Sequence, residues 1–106
     1  MFGRQVTLKL KANSGTELNR IAEAEILPIL RKQKGFRDET TFIAPERSEA
    51  VVNSFWDTKA DAEAYGHTAY AEVLKTLSNV IDGTPTVKNF EFASSTLQQA
   101  ATSKLV

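Results

Sequence analysis

The chain has 106 residues, 42% of them hydrophobic and 25% charged, the size and balance of a single globular domain rather than a disordered segment. Thirteen basic residues offset thirteen acidic ones, so no overall field draws nucleic acid or anionic lipid to it. With no cysteine and one histidine, it has no disulfide, no thiolate nucleophile, no Cys-ligated zinc or iron–sulfur centre, and no His-rich metal site within one chain.

Residues 4–11, "RQVTLKLK", alternate strictly. Val6, Leu8 and Leu10 fall on one face and Gln5, Thr7, Lys9 and Lys11 on the other, which predicts a half-buried strand. This start lacks the apolar core of a signal peptide, and no apolar run approaches the ~20 residues that cross a bilayer. The expectation is a cytoplasmic protein with no membrane partner. "ANSG" breaks the strand, and Ser14 with Glu17 three residues on reads as a capping box that opens a helix. Leu18, Ile21, Ala22, Ile29 and Leu30 share one side of it. Pro28 removes a backbone donor, so the helix kinks or restarts there. Arg31, Lys32 and Lys34 read as a solvated helix end favoured by the dipole, with Gly35 as C-cap.

Residues 36–44, "FRDETTFIA", form the next expected strand, followed by a short polar connection. The strand at 50–57, "AVVNSFWD", is apolar on both faces, with Val52 and Trp56 on one and Val51 and Phe55 on the other. Thr58 and Asp61 predict a second capping box, opening a helix through Ala62 and Tyr65. Gly66 weakens that helix, and Thr68 is expected to cap a second segment carrying Tyr70, Val73, Leu74, Leu77 and Ile81. "DGTP" at 82–85 is expected to end it, and residues 86–93 to form the last strand. Residues 1–94 thus make one domain, with a tail over 95–106 that is either a short helix or a frayed end.

The predicted order β-α-β-β-α-β is α+β and ferredoxin-like, an antiparallel sheet with its helices on one face. Two helices cover only one face. The apolar second face of the third strand, with Phe90 and Phe92 on the fourth, needs another cover, and the simplest is a second copy of the chain in a homodimer.

These elements, with "LPILRKQKGF" closing the first helix and "FWDTKADAEAY" running from third strand into second helix, resemble the antibiotic biosynthesis monooxygenase family over residues 4 to 93. The resemblance implies a dimeric α+β barrel with a pocket between each sheet and its own helices. It implies activities ranging from cofactor-independent oxygenation of polycyclic or quinol substrates to haem degradation. Where the haem-degrading branch has Asn, Trp and His, this chain has Leu8, Tyr65 and Leu74 or Lys75, so the resemblance argues against haem. Other members carry His at the position of Tyr65 and near Tyr70.

One stretch, residues 54–70, holds the only Trp, the only His and both Tyr residues of the chain. Trp56 and the tyrosines read as packed aromatics or as cleft walls, and His67 with Glu63 reads as an ordinary surface pair or as a proton shuttle at the pocket mouth. The candidate catalytic residues are His67 and Tyr65. The candidate substrate contacts are Trp56, Tyr70, Leu8 and Val52. A deprotonated phenol or hydroquinone can itself give an electron to oxygen, so a base and oxyanion donors beside an apolar pocket suffice, without cofactor or metal. The expected function is a cofactor-independent monooxygenase acting on a small aromatic or quinol-type compound. The alternative is a non-catalytic dimeric small-molecule-binding or interaction module. An RNA-recognition module shares the element order, but the third strand lacks its Lys/Arg-Gly-aromatic signature. No phosphate loop, nucleophile elbow or HExxH motif occurs.

Overall fold

The computed structural model describes residues 1–44, 46 and 48–93, so the sequence-predicted tail lies outside the described residues. The elements are β1 (Phe2–Leu10), α1 (Gly15–Ile21), a π-helical stretch (Ala22–Ile26), α2 (Leu27–Arg31), β2 (Phe36–Ala44), β3 (Glu49–Trp56), α3 (Lys59–His67), α4 (Tyr70–Leu77) and β4 (Ile81–Glu91). All neighbouring strands run antiparallel in the order β2-β3-β1-β4, so β1 and β3 are central and β2 and β4 are edges. This is the expected ferredoxin-like arrangement.

Strand alternation divides the sheet into two unlike faces. Val6, Leu8 and Leu10 of β1 and Ala50, Ser54 and Trp56 of β3 are buried, and pack with Leu18, Ile21, Ile26 and Leu30 and with Val73 and Leu77 of α4. Cross-strand pairing puts Thr40, Asn53, Gln5 and Lys88 in one row of the opposite face. Gln5 donates to Asn53 and Asn53 to Thr40, both at 3.2 Å. Phenyl groups flank this polar row: Phe55 meets Phe92 edge-on at 6.2 Å, and Phe42 and Phe90 are 60% and 50% exposed. The two-faced character read in β3 is therefore real, and among the described residues nothing covers this second face.

Local expectations hold unevenly. Thr58 does cap α3, its Oγ1 accepting from the Asp61 N–H at 3.1 Å. Ser14 occupies the N-cap of α1 but makes no capping bond; Glu17 is held by Arg20 at 2.9 Å instead, so no capping box forms. Pro28 stands in the first turn of α2, and the preceding residues widen into the π-helical stretch, which is the restart the proline demanded. Gly35 is not the C-cap, a place taken by Lys32; at φ +78° it turns the chain into β2.

The second helix pair also differs from expectation. α3 runs through Gly66 to His67, and the break falls at Thr68, whose hydroxyl donates back to the Ala64 carbonyl at 2.7 Å. Thr68 thus closes α3 rather than capping α4, whose N-cap is Ala69. Ile81 and residues 82–85 belong to β4, not to a helix end. Lys9 pairs with Asp82 and Thr7 with Thr86, so β4 bulges between them. An edge strand tolerates Pro85 and the positive φ of Gly83 because one side of it bonds to no other strand.

Candidate functional site

Between the helix-side face of the sheet and the helices lies an apolar cavity of about 20 Å³. That volume holds one water molecule. Leu8, Val52 and Ser54 form part of its floor, and Tyr65, Tyr70 and Leu77 part of its roof. Its helical walls are irregular on both sides: Ile26 ends the π-helical stretch, and Tyr65 and Tyr70 straddle the break between α3 and α4. A larger open groove of about 780 Å³ follows the β1–α1 turn, but among the described residues Lys11 is the only ionisable one lining it and none is aromatic.

The two tyrosines face one another across the helix break, with ring centroids 6.0 Å apart and planes at 64°. Tyr65 is buried and Tyr70 half-buried. Trp56 does not line the cavity. It is fully buried behind Tyr65, stacked on it at 5.0 Å with planes at 27°, and meets Phe36 edge-on at 5.7 Å. Its indole N–H donates to Ser54 Oγ at 2.9 Å, so the side chain is both packed and satisfied. His67, the last residue of α3, is exposed and is not among the residues lining the cavity. The structure therefore gathers Leu8, Val52, Tyr65 and Tyr70, sets Trp56 behind them and leaves His67 outside.

Burial pushes the Tyr65 hydroxyl well above the usual phenol range, with the Arg4 charge opposing it in part. Tyr70 is raised for the same reason and pulled back by the charge and donor of Arg4. Both are therefore neutral phenols at physiological pH, suited to donate a hydrogen bond and unsuited to accept a proton as phenolate. On β2, burial likewise raises the half-buried Glu39 carboxyl, to which Thr41 donates at 2.7 Å.

Sequence reasoning missed Arg4. It shares a face with Val6, Leu8 and Leu10 and is 9% exposed, its guanidinium carbon 4.5 Å from the Tyr70 ring centroid and 5.6 Å from that of Tyr65. The signal was available: the alternation that buries Val6 also places residue 4 inward. Gly66 makes room for it, since a Cβ there would stand 2.9 Å from Arg4 Nη1. Among the described residues no group of three or more His, Asp or Glu is placed to hold a metal ion. Nor is any helix among them long and apolar enough to cross a membrane.

Searches by sequence found no matching family profile and no matching curated protein. Solved structures do match. A monooxygenase of Streptomyces coelicolor, in complex with the ligand nanaomycin D, superposes with a TM-score of 0.75 at 18% identity, over 89% of this chain and 88% of that one. A provisionally named antibiotic biosynthesis monooxygenase of Bordetella bronchiseptica gives 0.71 at 11% identity, over 88% and 97%. A Nitrosomonas europaea protein of unknown function gives 0.70 at 17% identity, over 89% and 90%. The chain has the antibiotic biosynthesis monooxygenase fold. Within that fold the sheet–helix cavity is lined by Tyr65 and Tyr70, and Arg4 packs against both rings from outside the lining.

Proposed function

We propose that the protein is a small-molecule oxygenase that works without a resident cofactor, taking a small aromatic or quinol-type compound into the cavity between sheet and helices. The observation that carries this reading is the pairing of Tyr65 and Tyr70 over an apolar floor of Leu8 and Val52, with Arg4 against both rings. The nanaomycin D complex of the Streptomyces coelicolor monooxygenase, a protein of the same fold, adds support.

At about 20 Å³ the cavity is far too small for an aromatic ring, so binding requires the helix layer to yield. The break at Thr68 and Ala69 is the natural hinge, because it frees α4 and the half-buried Tyr70 from α3. In this reading Leu8 and Val52 support the ring of the substrate, and the neutral Tyr65 and Tyr70 hydroxyls donate to its oxygens. Trp56 fixes the plane of Tyr65 from behind. A substrate phenol ionises and its phenolate passes one electron to oxygen, giving a phenoxyl radical and superoxide. These join at a ring carbon that bears hydrogen, the peroxide anion takes up a proton, and loss of water from the hydroperoxide leaves one new oxygen on the ring as a carbonyl. The proton leaves through solvent, where His67 stands at the surface end of α3. Haem is not the ligand we propose, because no imidazole is among the residues lining the cavity.

We further propose that two copies pair sheet to sheet through the face that carries Phe42 and Phe90. The competing reading, a binding module without turnover, is favoured by one observation: the only histidine stands outside the cavity.

Oxygen uptake by the purified protein with a panel of naphthols and hydroquinones separates the two readings. Uptake above the protein-free rate, with no added cofactor, is the expected result. Saturable binding without uptake would establish the binding module instead, and neither binding nor uptake would overturn both. A general base at His67 would make His67→Ala lose ~10²–10⁴-fold in rate. The exposed position leads us to expect a change within about threefold and no change in binding, as for a residue that passes protons to solvent.

A further inference from the structure

We propose that Arg4, which packs against the two tyrosines that line this cavity without lining it itself, is an anion-binding residue at the cavity's edge, and that the molecule taken there carries a carboxylate or phenolate oxygen facing the guanidinium; this rests on the reading of the cavity as a small-molecule site. Arg4 is 9% exposed, and its Nε is buried with no hydrogen-bond partner among the described residues. Among the described residues no carboxylate forms an ion pair with it; the ion pairs found join Arg20, Arg37 and Lys59 to other partners. Along its cross-strand row, Ser54 stands beside it and Glu39 beyond, two strands away, or about 10 Å by strand spacing. A buried charge with no counter-charge is costly, and proteins keep one where a ligand supplies the missing partner.

The surroundings select for an anion. The guanidinium carbon lies 4.5 Å from the Tyr70 ring centroid, and the buried Nε–H is left for an acceptor. Nε–H and a neighbouring Nη–H form the fork that receives two carboxylate oxygens or one phenolate oxygen. Tyr65 and Tyr70, whose rings Arg4 packs against, are both held protonated and can donate. Gly66 is the seat: a helix-interior glycine weakens α3, and its missing side chain leaves the space that Nη1 fills. A cation, two phenolic donors and an apolar floor suit an aromatic body bearing one anionic oxygen group.

The test is calorimetric titration with three probes of one ring system: 2-naphthoate, the neutral 2-naphthalenemethanol, and 2-naphthol on either side of its own ionisation. The wild type is expected to bind an anion at least tenfold more tightly than the neutral alcohol. Arg4→Met is expected to erase that ratio while the alcohol still binds. Preference for naphthoate alone assigns a carboxylate, and tightening of naphthol on ionisation assigns a phenolate; either supports the anion site. Equal affinities in the wild type, or a ratio that survives in Arg4→Met, would overturn it while leaving the aromatic cavity standing. Failure of every probe to bind would remove the cavity reading and the anion site together. Should Arg4→Met not fold, Gly66→Ala moves the guanidinium without removing its charge. The ratio is then expected to fall at least threefold, and an unchanged ratio counts against the proposal.

Discussion

Trp56 donates its indole N–H to Ser54, two residues earlier on the same face of β3, at 2.9 Å and wholly inside the core. The bond lets a large polar-edged ring sit with no exposure at all, stacked beneath Tyr65. Removing the acceptor leaves a buried donor unpaired, which costs ~1–3 kcal/mol. Ser54→Ala is therefore expected to destabilise the fold by that amount, measured by urea unfolding followed through the fluorescence of Trp56. A change below the error of the measurement would mean that the indole finds another acceptor.

Gly35 and Gly83 both have positive φ, +78° and +74°, yet their surroundings differ. A Cβ at Gly35 would collide with the Asp61 side chain at the start of α3, whereas one at Gly83 meets nothing within 4 Å. Gly83→Ala should carry only the left-handed backbone penalty of ~1–2 kcal/mol. Gly35→Ala adds a steric clash and is expected to cost clearly more, so the order of the two denaturation midpoints is the observable. Equal midpoints would show that Asp61 moves aside freely.

Alkaline pH should unfold the protein earlier than ordinary tyrosines would predict. Tyr65 and Tyr70 hold their protons above the usual phenol value of ~10, chiefly because both are desolvated. The unfolded chain releases these protons first, so the stabilisation they represent is complete below pH ~10 and is lost as pH rises towards the folded values. Tyr65→Phe should flatten the fall in stability above that pH. An identical alkaline slope in wild type and variant would place the Tyr65 hydroxyl in water.

The uncovered sheet face carries Phe42 and Phe90, at 60% and 50% exposure, around the Gln5–Asn53–Thr40 ladder. A stable two-fold interface there buries ~1,200 Å² or more in total. Light scattering is expected to give a dimer mass at micromolar concentration for the wild type and a monomer mass for Phe42→Glu with Phe90→Glu. A monomeric wild type would sink the proposal.

The fold was legible because it follows from periodicity. Alternation at residues 4–11, a strand at 36–44, and a third strand apolar on both faces already specify a sheet with one helix-covered side. What escaped depended on contacts between elements. Nothing local distinguishes 82–85 as a bulged edge strand from the same residues as a helix stop; pairing with Lys9 and Thr7 decides it. The site was half legible. Tyr65 and Tyr70 meet as their spacing around a helix break suggested, but Trp56 lies a layer deeper because Ser54 satisfies its N–H. Arg4 was overlooked although the alternation points it inward, since a cation on an apolar face makes sense only once Gly66 and the tyrosine rings are placed around it.

If the cavity over Leu8 and Val52 opens to admit an aromatic molecule, a crystal structure of the protein with 2-naphthoate will show it. The ring is expected between Val52 and the Tyr65–Tyr70 pair, with α4 displaced about the Thr68–Ala69 break and the carboxylate on Arg4. A naphthoate bound only elsewhere, with the cavity still at about 20 Å³ and Tyr70 unmoved, would contradict it.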